Sequence, residues 1–166
     1  MPEEMPDESG EFETPPAFFP YKEPSPIDEH PGDFGDPVEV HVEAVFMTQS
    51  EEQVQRFVLL SDGERKLPIL IGPFEATSIT LALEGQQPDR PMTHDLMKNI
   101  IEKLDVTIDR IVIDDLWGST YYAKIYILEG DEEIEIDSRP SDAIALAVRF
   151  DATIYVADGI LDHAGS

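Results

Sequence analysis

The chain has 166 residues, with 36 Asp+Glu against 11 Lys+Arg and a formal net charge of −25 at pH 7. Such a surface repels polyanions at long range, which excludes a broad basic face for non-specific nucleic-acid binding and leaves only local contact. The absence of cysteine removes disulfides, thiolate metal sites and a cysteine nucleophile together.

The length predicts one domain plus an extension. Residues 1–37 hold nine of the fourteen prolines and eleven acidic residues against a single lysine, so they read as an acidic, Pro-rich N-terminal extension. Its aromatics, Phe12, Phe18, Phe19, Tyr21 and Phe34, exceed what a solvating tail needs and are expected to pin it to its own domain or a neighbouring subunit. The domain proper is expected over residues 38–166.

From Val38 the pattern changes to alternation, with Val38, Val40, Val42, Ala44 and Phe46 expected inward and Glu39, His41 and Glu43 outward on a half-buried strand. Val54 to Leu60 and Lys66 to Ile71 read as a hairpin around the turn Ser61-Asp62-Gly63-Glu64. Phe74 to Leu83 predicts a helix ended by Gly85, with Glu75 in its first turn. Thr93 to Leu104 predicts a second, whose stripe Met97, Ile100, Ile101 and Leu104 should pack on a sheet. Strands follow at Thr107 to Leu116, Thr120 to Glu129 and Glu132 to Asp137. Asp142 to Phe150 has no polar face and predicts a buried helix, and Ile154 to Val156 a short last strand. Strands grouped before and after helices favour an α+β fold: a single compact domain with a mixed, largely antiparallel sheet and about three helices.

One phrase occurs twice, as Asp89-Arg90-Pro91-Met92-Thr93-His94-Asp95 and as Asp137-Ser138-Arg139-Pro140-Ser141-Asp142, each time opening a predicted helix. Proline suits a first helical turn, and Ser, Thr or Asp there accept bonds from orphan amides, so both copies read as helix caps. An arginine beside free N–H groups also suits a phosphate or carboxylate, so capping and anion binding stand side by side.

Those two segments, "RPMTHDLM" from Arg90 and "DSRPSDAIALAVR" from Asp137, together with "LPILIGPFEATSI" from Leu67, resemble the bifunctional nuclease family over Val38 to about Val156. The resemblance implies a compact α+β domain that forms homodimers or larger homo-oligomers and degrades DNA and RNA. Some members append a UVR-type helical motif, and a domain without that appendage is the expectation after Asp158-Gly159-Ile160. A phosphodiesterase could pair a His base with carboxylates around a divalent cation. His94 is then the candidate base, with Asp95, Arg139 and Asp142 as catalytic partners. Arg90, Thr93 and Ser141 are candidate phosphate contacts, and Asp137, Asp142 and Glu75 candidate ligands for Mg²⁺ or Mn²⁺ through hard oxygens. The runner-up readings are a small-anion or nucleotide-binding module without catalysis, and an oligomeric scaffold in which Arg139 pairs with Asp142 or Asp95.

The other histidines carry less weight: His41 on a solvent face, His30 in the extension, His163 near the end. Asp114-Asp115 reads as a pair of exposed turn carboxylates before a cation site, and Trp117, Tyr121, Tyr122 and Tyr126 as sheet or interface packing before base stacking. Scarce lysine with abundant acid is the expectation for a cytoplasm of high ionic strength, hence a halophilic protein. With neither a basic-then-apolar leader nor an apolar run of membrane-spanning length, a soluble cytoplasmic chain without a membrane partner is expected.

Overall fold

The computed structural model describes residues 33–51 and 53–164. In chain order the elements are β1 (Pro37–Gln49), β2 (Val54–Ser61), β3 (Lys66–Ile71), α1 (Pro73–Leu83), α2 (Thr93–Lys103), β4 (Thr107–Trp117), β5 (Thr120–Glu129), β6 (Glu132–Ser138), α3 (Pro140–Phe150), β7 (Thr153–Ala157) and α4 (Asp158–Ala164). The strands make one seven-stranded sheet in the order β3-β2-β1-β7-β4-β5-β6. All neighbours pair antiparallel except β4 and β7. The expected mixed, mainly antiparallel α+β domain is therefore what forms, with α4 as a fourth helix that periodicity did not announce.

The β2–β3 hairpin closes as its turn chemistry predicts. The Asp62 carboxylate accepts from the N–H groups of Glu64 at 2.9 Å and Arg65 at 2.7 Å, while Gly63 takes φ 103°, a left-handed conformation that suits glycine. The Arg65 guanidinium then reaches Asp158 at 2.9 Å and Asp162 at 2.7 Å, which anchors α4 to this hairpin.

Two packing expectations are corrected. Alternation along β1 holds through Val40, which is buried, and His41, which faces solvent, but a register shift between Val42 and Ala44 reverses the parity. One extra residue sends every later side chain to the opposite face. Val45 therefore packs against the core, and Phe46 turns outward to stack on Phe57 at 5.3 Å. On α2, the stripe does not lie on the sheet. The helix rests against α3 with His94 as its buried residue, leaving Met97, Ile100 and Leu104 exposed and only Ile101 against the core.

The predicted buried helix α3 is the centre of the molecule. Ala143, Ile144, Ala145, Leu146 and Ala147 are all at most 1% exposed, packed between α1, α2 and the β4, β5 and β7 strands. Small alanines let those neighbours approach closely, and burial of Ile144 and Leu146 contributes about 2–3 kcal/mol each by area removed from water. The short last strand, β7, lies in mid-sheet, with Val156 fully buried and Ile154 nearly so.

Of the extension, the residues from Asp33 onward are described. The Gly159 N–H donates to the Phe34 carbonyl at 2.7 Å and the Asp158 N–H to that of Asp36 at 2.9 Å, and the Phe34 ring packs on the core. Phe12, Phe18, Phe19 and Tyr21 lie outside the described residues. Tyr126 is occupied within the sheet, its ring 4.0 Å beneath the Arg110 guanidinium and its hydroxyl donating to Glu135. Asp114 and Asp115 sit within β4, not in a turn. Lys124 bridges Asp114 at 2.9 Å, and the Leu116 N–H donates to Asp115 at 2.8 Å. No helix among the described residues is long and apolar enough to cross a membrane.

Candidate active site

The two copies of the repeated phrase open α2 and α3, and the fold turns these helix starts toward each other. His94, the second residue of α2, places its imidazole Nε2 2.9 Å from Oδ1 of Asp142, in the first turn of α3. On the other side of the ring, Nδ1 lies 2.7 Å from the hydroxyl oxygen of Ser78, which projects from α1. The other Asp142 oxygen accepts from Arg139 Nε at 2.7 Å, and Arg139 Nη2 donates to Glu75 at 3.1 Å. A continuous hydrogen-bonded series therefore runs from Ser78 through His94, Asp142 and Arg139 to Glu75. It borders a groove of about 930 Å³, whose lining includes all five residues together with Thr93 and Asp137.

The two helix starts differ in how they are capped. Arg139 is the N-cap residue of α3 and no side chain caps it, because Asp142, which could fold back onto the helix amides, points instead to His94 and Arg139. At α2 the opposite holds. Asp95 accepts from the Met92 N–H at 3.0 Å, a capping contact, and its other oxygen accepts from Arg149 Nε at 2.7 Å. With both oxygens so engaged, Asp95 holds the helix and takes no part in the series around His94. The Arg149 side chain is 6% exposed and also donates to the carbonyls of Ala145 and Ser78, so one buried side chain ties α1, α2 and α3 around the groove.

Burial acts to raise the Asp142 carboxyl, but the hydrogen bonds from Arg139 and His94 outweigh it and hold the group below its ordinary value. An ionised carboxylate only accepts, so the ring hydrogen is assigned to His94 Nε2, and in the neutral ring Nδ1 is left to accept from the Ser78 hydroxyl. Arg139 is held charged by its bond to Asp142 and by the nearby Glu75, yet its side chain is 66% exposed, so its outer face is open to a ligand. Gly72, just before α1, leaves room for Glu75: a Cβ there would collide with that carboxylate.

The remaining sequence candidates divide. Thr93 lines the groove; Ser141 is buried beside it without entering its lining, and Arg90 is exposed outside it. The expected metal ligands Glu75, Asp137 and Asp142 all border the groove, but no three His, Cys, Asp or Glu side chains come together as an ion-holding group among the described residues. Each Asp142 oxygen is already engaged, one by His94 and one by Arg139, and Glu75 faces Arg139. The donor set as arranged does not fit a carboxylate-bound Mg²⁺ or Mn²⁺.

Ser78 and Arg149 escaped sequence reasoning although both lie inside motifs that carried the family resemblance. Ser78 stands three residues after Glu75, the spacing that puts two side chains on one face of a helix. Arg149 follows an apolar run and reads there as a helix-terminal charge until its partner on α2 is seen.

The bifunctional nuclease domain matches residues 58–166. The chain belongs to the bifunctional nuclease domain family. It is 37% identical over 127 residues to an uncharacterized protein of Mycobacterium tuberculosis, covering 76% of each chain. It is 30% identical over 112 residues to a protein named bifunctional nuclease 2 of Oryza sativa subsp. japonica, covering 65% of this chain and 34% of that one. Bifunctional nuclease 1 of Oryza sativa subsp. indica is 29% identical over 101 residues, covering 58% and 30%. The chain thus spans about a third of the length of these plant relatives. Within the family match lie Ser78, His94, Arg139, Asp142 and Arg149.

Proposed function

We propose that this domain hydrolyses phosphodiester bonds of single-stranded DNA or RNA in the groove between α1, α2 and α3. The observation that carries the reading is the Ser78–His94–Asp142–Arg139 series, which sets a proton acceptor beside a guanidinium in a chain of a nuclease-named family. Asp142 orients His94 and stabilises the imidazolium formed when the ring takes a proton from the attacking hydroxyl. Arg139 offers its exposed face to the phosphate and offsets the charge that develops on it. Phe74, 80% exposed at the groove, presents a ring on which an unpaired base stacks, contact that a chain of net charge −25 needs in place of a basic surface.

Arg139 already faces two carboxylates, and this favours a second reading in which these residues hold the fold of a non-catalytic scaffold. The exposed α2 stripe of Met97, Ile100 and Leu104 supports a homo-oligomer, checked by sedimentation. The deciding experiment is cleavage of single-stranded DNA and RNA with Mg²⁺, Mn²⁺ or EDTA, at low and molar salt, beside His94→Ala. Cleavage that disappears with His94 supports hydrolysis at this groove. A folded wild type that cleaves neither polymer and is not stabilised by inorganic phosphate establishes the second reading, whereas stabilisation without cleavage points to a small-phosphate module.

A further inference from the structure

We propose that Ser78 Oγ, and not a water molecule, is the nucleophile that His94 activates, so that hydrolysis passes through a phosphoryl ester on Ser78. The inference rests on the reading of the groove as a phosphodiesterase site and names the attacking atom.

Both imidazole nitrogens of His94 are engaged within the protein. Nε2 lies 2.9 Å from Asp142, whose carboxylate only accepts, so Nε2 bears the hydrogen. That leaves Nδ1 as the single basic position on the ring, and it stands 2.7 Å from the Ser78 hydroxyl. A water molecule would have to displace Ser78 to be deprotonated there. The arrangement is that of an activated nucleophile: hydroxyl and base in hydrogen-bond contact, and the base oriented by a third group.

Ser78 is also held where a phosphate can reach it. The residue is 2% exposed overall, yet it borders the groove with Arg139 and Thr93, so its access is from that side. Arg149 donates to its backbone carbonyl at 3.2 Å, fixing this turn of α1. Ser78 lies in mid-helix, and its side chain is directed to His94 instead of back-bonding to its own helix, as Thr77 does to the Pro73 carbonyl at 2.9 Å.

In the first half-reaction the Ser78 Oγ–P bond forms as the P–O bond to the leaving sugar oxygen breaks. The proton passes from Ser78 to Nδ1 and on to that oxygen. In the second, water forms the new P–O bond, the Ser78 Oγ–P bond breaks, and the water proton returns through Nδ1 to Ser78. Water is the only co-reactant.

The test uses the full chain in two arms, an alkyl fluorophosphonate probe and a single-stranded oligonucleotide quenched in acid, each followed by peptide mass spectrometry. The expected result is a probe label and a nucleotidyl adduct on Ser78, both absent from His94→Ala, with the turnover of Ser78→Ala lowered by at least ~10³-fold. Ser78→Cys keeps a nucleophile and should still acquire the adduct. Should Ser78→Ala unfold, labelling of the wild type decides. Cleavage by wild type and by folded Ser78→Ala at equal rates, with no label on Ser78, overturns the serine while leaving the nuclease reading intact. Labelling of Ser78 without cleavage of any oligonucleotide upholds an activated serine and removes the nuclease reading.

Discussion

Replacing Arg149 with methionine tests whether the groove owes its shape to one buried ion pair. The side chain is 6% exposed and its guanidinium makes three contacts: Nε to Asp95 at 2.7 Å, Nη1 to the Ala145 carbonyl at 2.9 Å and Nη2 to the Ser78 carbonyl at 3.2 Å. Methionine retains most of the packing volume and removes all of these. Breaking a fully buried pair costs about 3–5 kcal/mol, mainly through the charge left behind. Asp95 is 27% exposed and keeps the Met92 N–H, so it rehydrates in part and the loss falls to about 2–3 kcal/mol. For a domain of this size that lowers Tm by about 8–12 °C. Differential scanning calorimetry reads it, with Lys66→Met as control, since Lys66 and Glu43 form an exposed pair worth about 0–1 kcal/mol.

The pH dependence supplies the sign. Burial raises the Asp95 carboxyl, while Arg149 and the Met92 N–H lower it further, so its folded value lies below the ordinary 3.8. A depressed carboxylate stabilises the fold above its unfolded pKa and loses that contribution as pH falls through the folded one. The gap in Tm between wild type and Arg149→Met should therefore be constant from neutrality down to about pH 5 and narrow below about pH 4. A variant melting within about 2 °C of wild type at neutral pH, or a gap that widens in acid, would refute the argument.

Gly159→Ala sets a Cβ 2.9 Å from the Phe34 carbonyl oxygen, a backbone atom that also receives the Gly159 N–H, so it should destabilise by about 1–3 kcal/mol. Hydrogen exchange at Gly159 should accelerate selectively; an unchanged rate there would sink the expectation. Molar KCl should raise Tm, because screening relieves self-repulsion at net charge −25 more than it weakens the few surface pairs. Equal stability in dilute buffer and molar KCl would dispose of the halophile expectation. By the same repulsion, the Km for a single-stranded oligonucleotide should fall as salt rises from low levels, opposite to the usual trend of nucleic-acid binding. Steady-state kinetics over a KCl series would show it.

Local order was legible from residue types and spacing. Alternation marks β2 and β3, Asp62 and Gly63 mark their turn, and the unbroken apolar run after Asp142 marks a helix with no exposed side, because strand and helix periods and turn chemistry are short-range properties. The repeated Arg-Pro phrase likewise exposed two helix starts and, through them, His94, Arg139 and Asp142. The β1 parity failed at a register shift, since one extra residue leaves no mark in hydropathy. The α2 stripe failed because an amphipathic face announces only that it is apolar, not what will cover it. What the tertiary structure alone decided was which charges meet. Asp95 and Asp142 occupy equivalent places in the two phrases, yet one caps a helix against a buried Arg149 and the other holds His94. Forty-eight residues separate His94 from Asp142, and only the packing of α1 and α2 on α3 brings Ser78, His94 and Asp142 within hydrogen-bond reach.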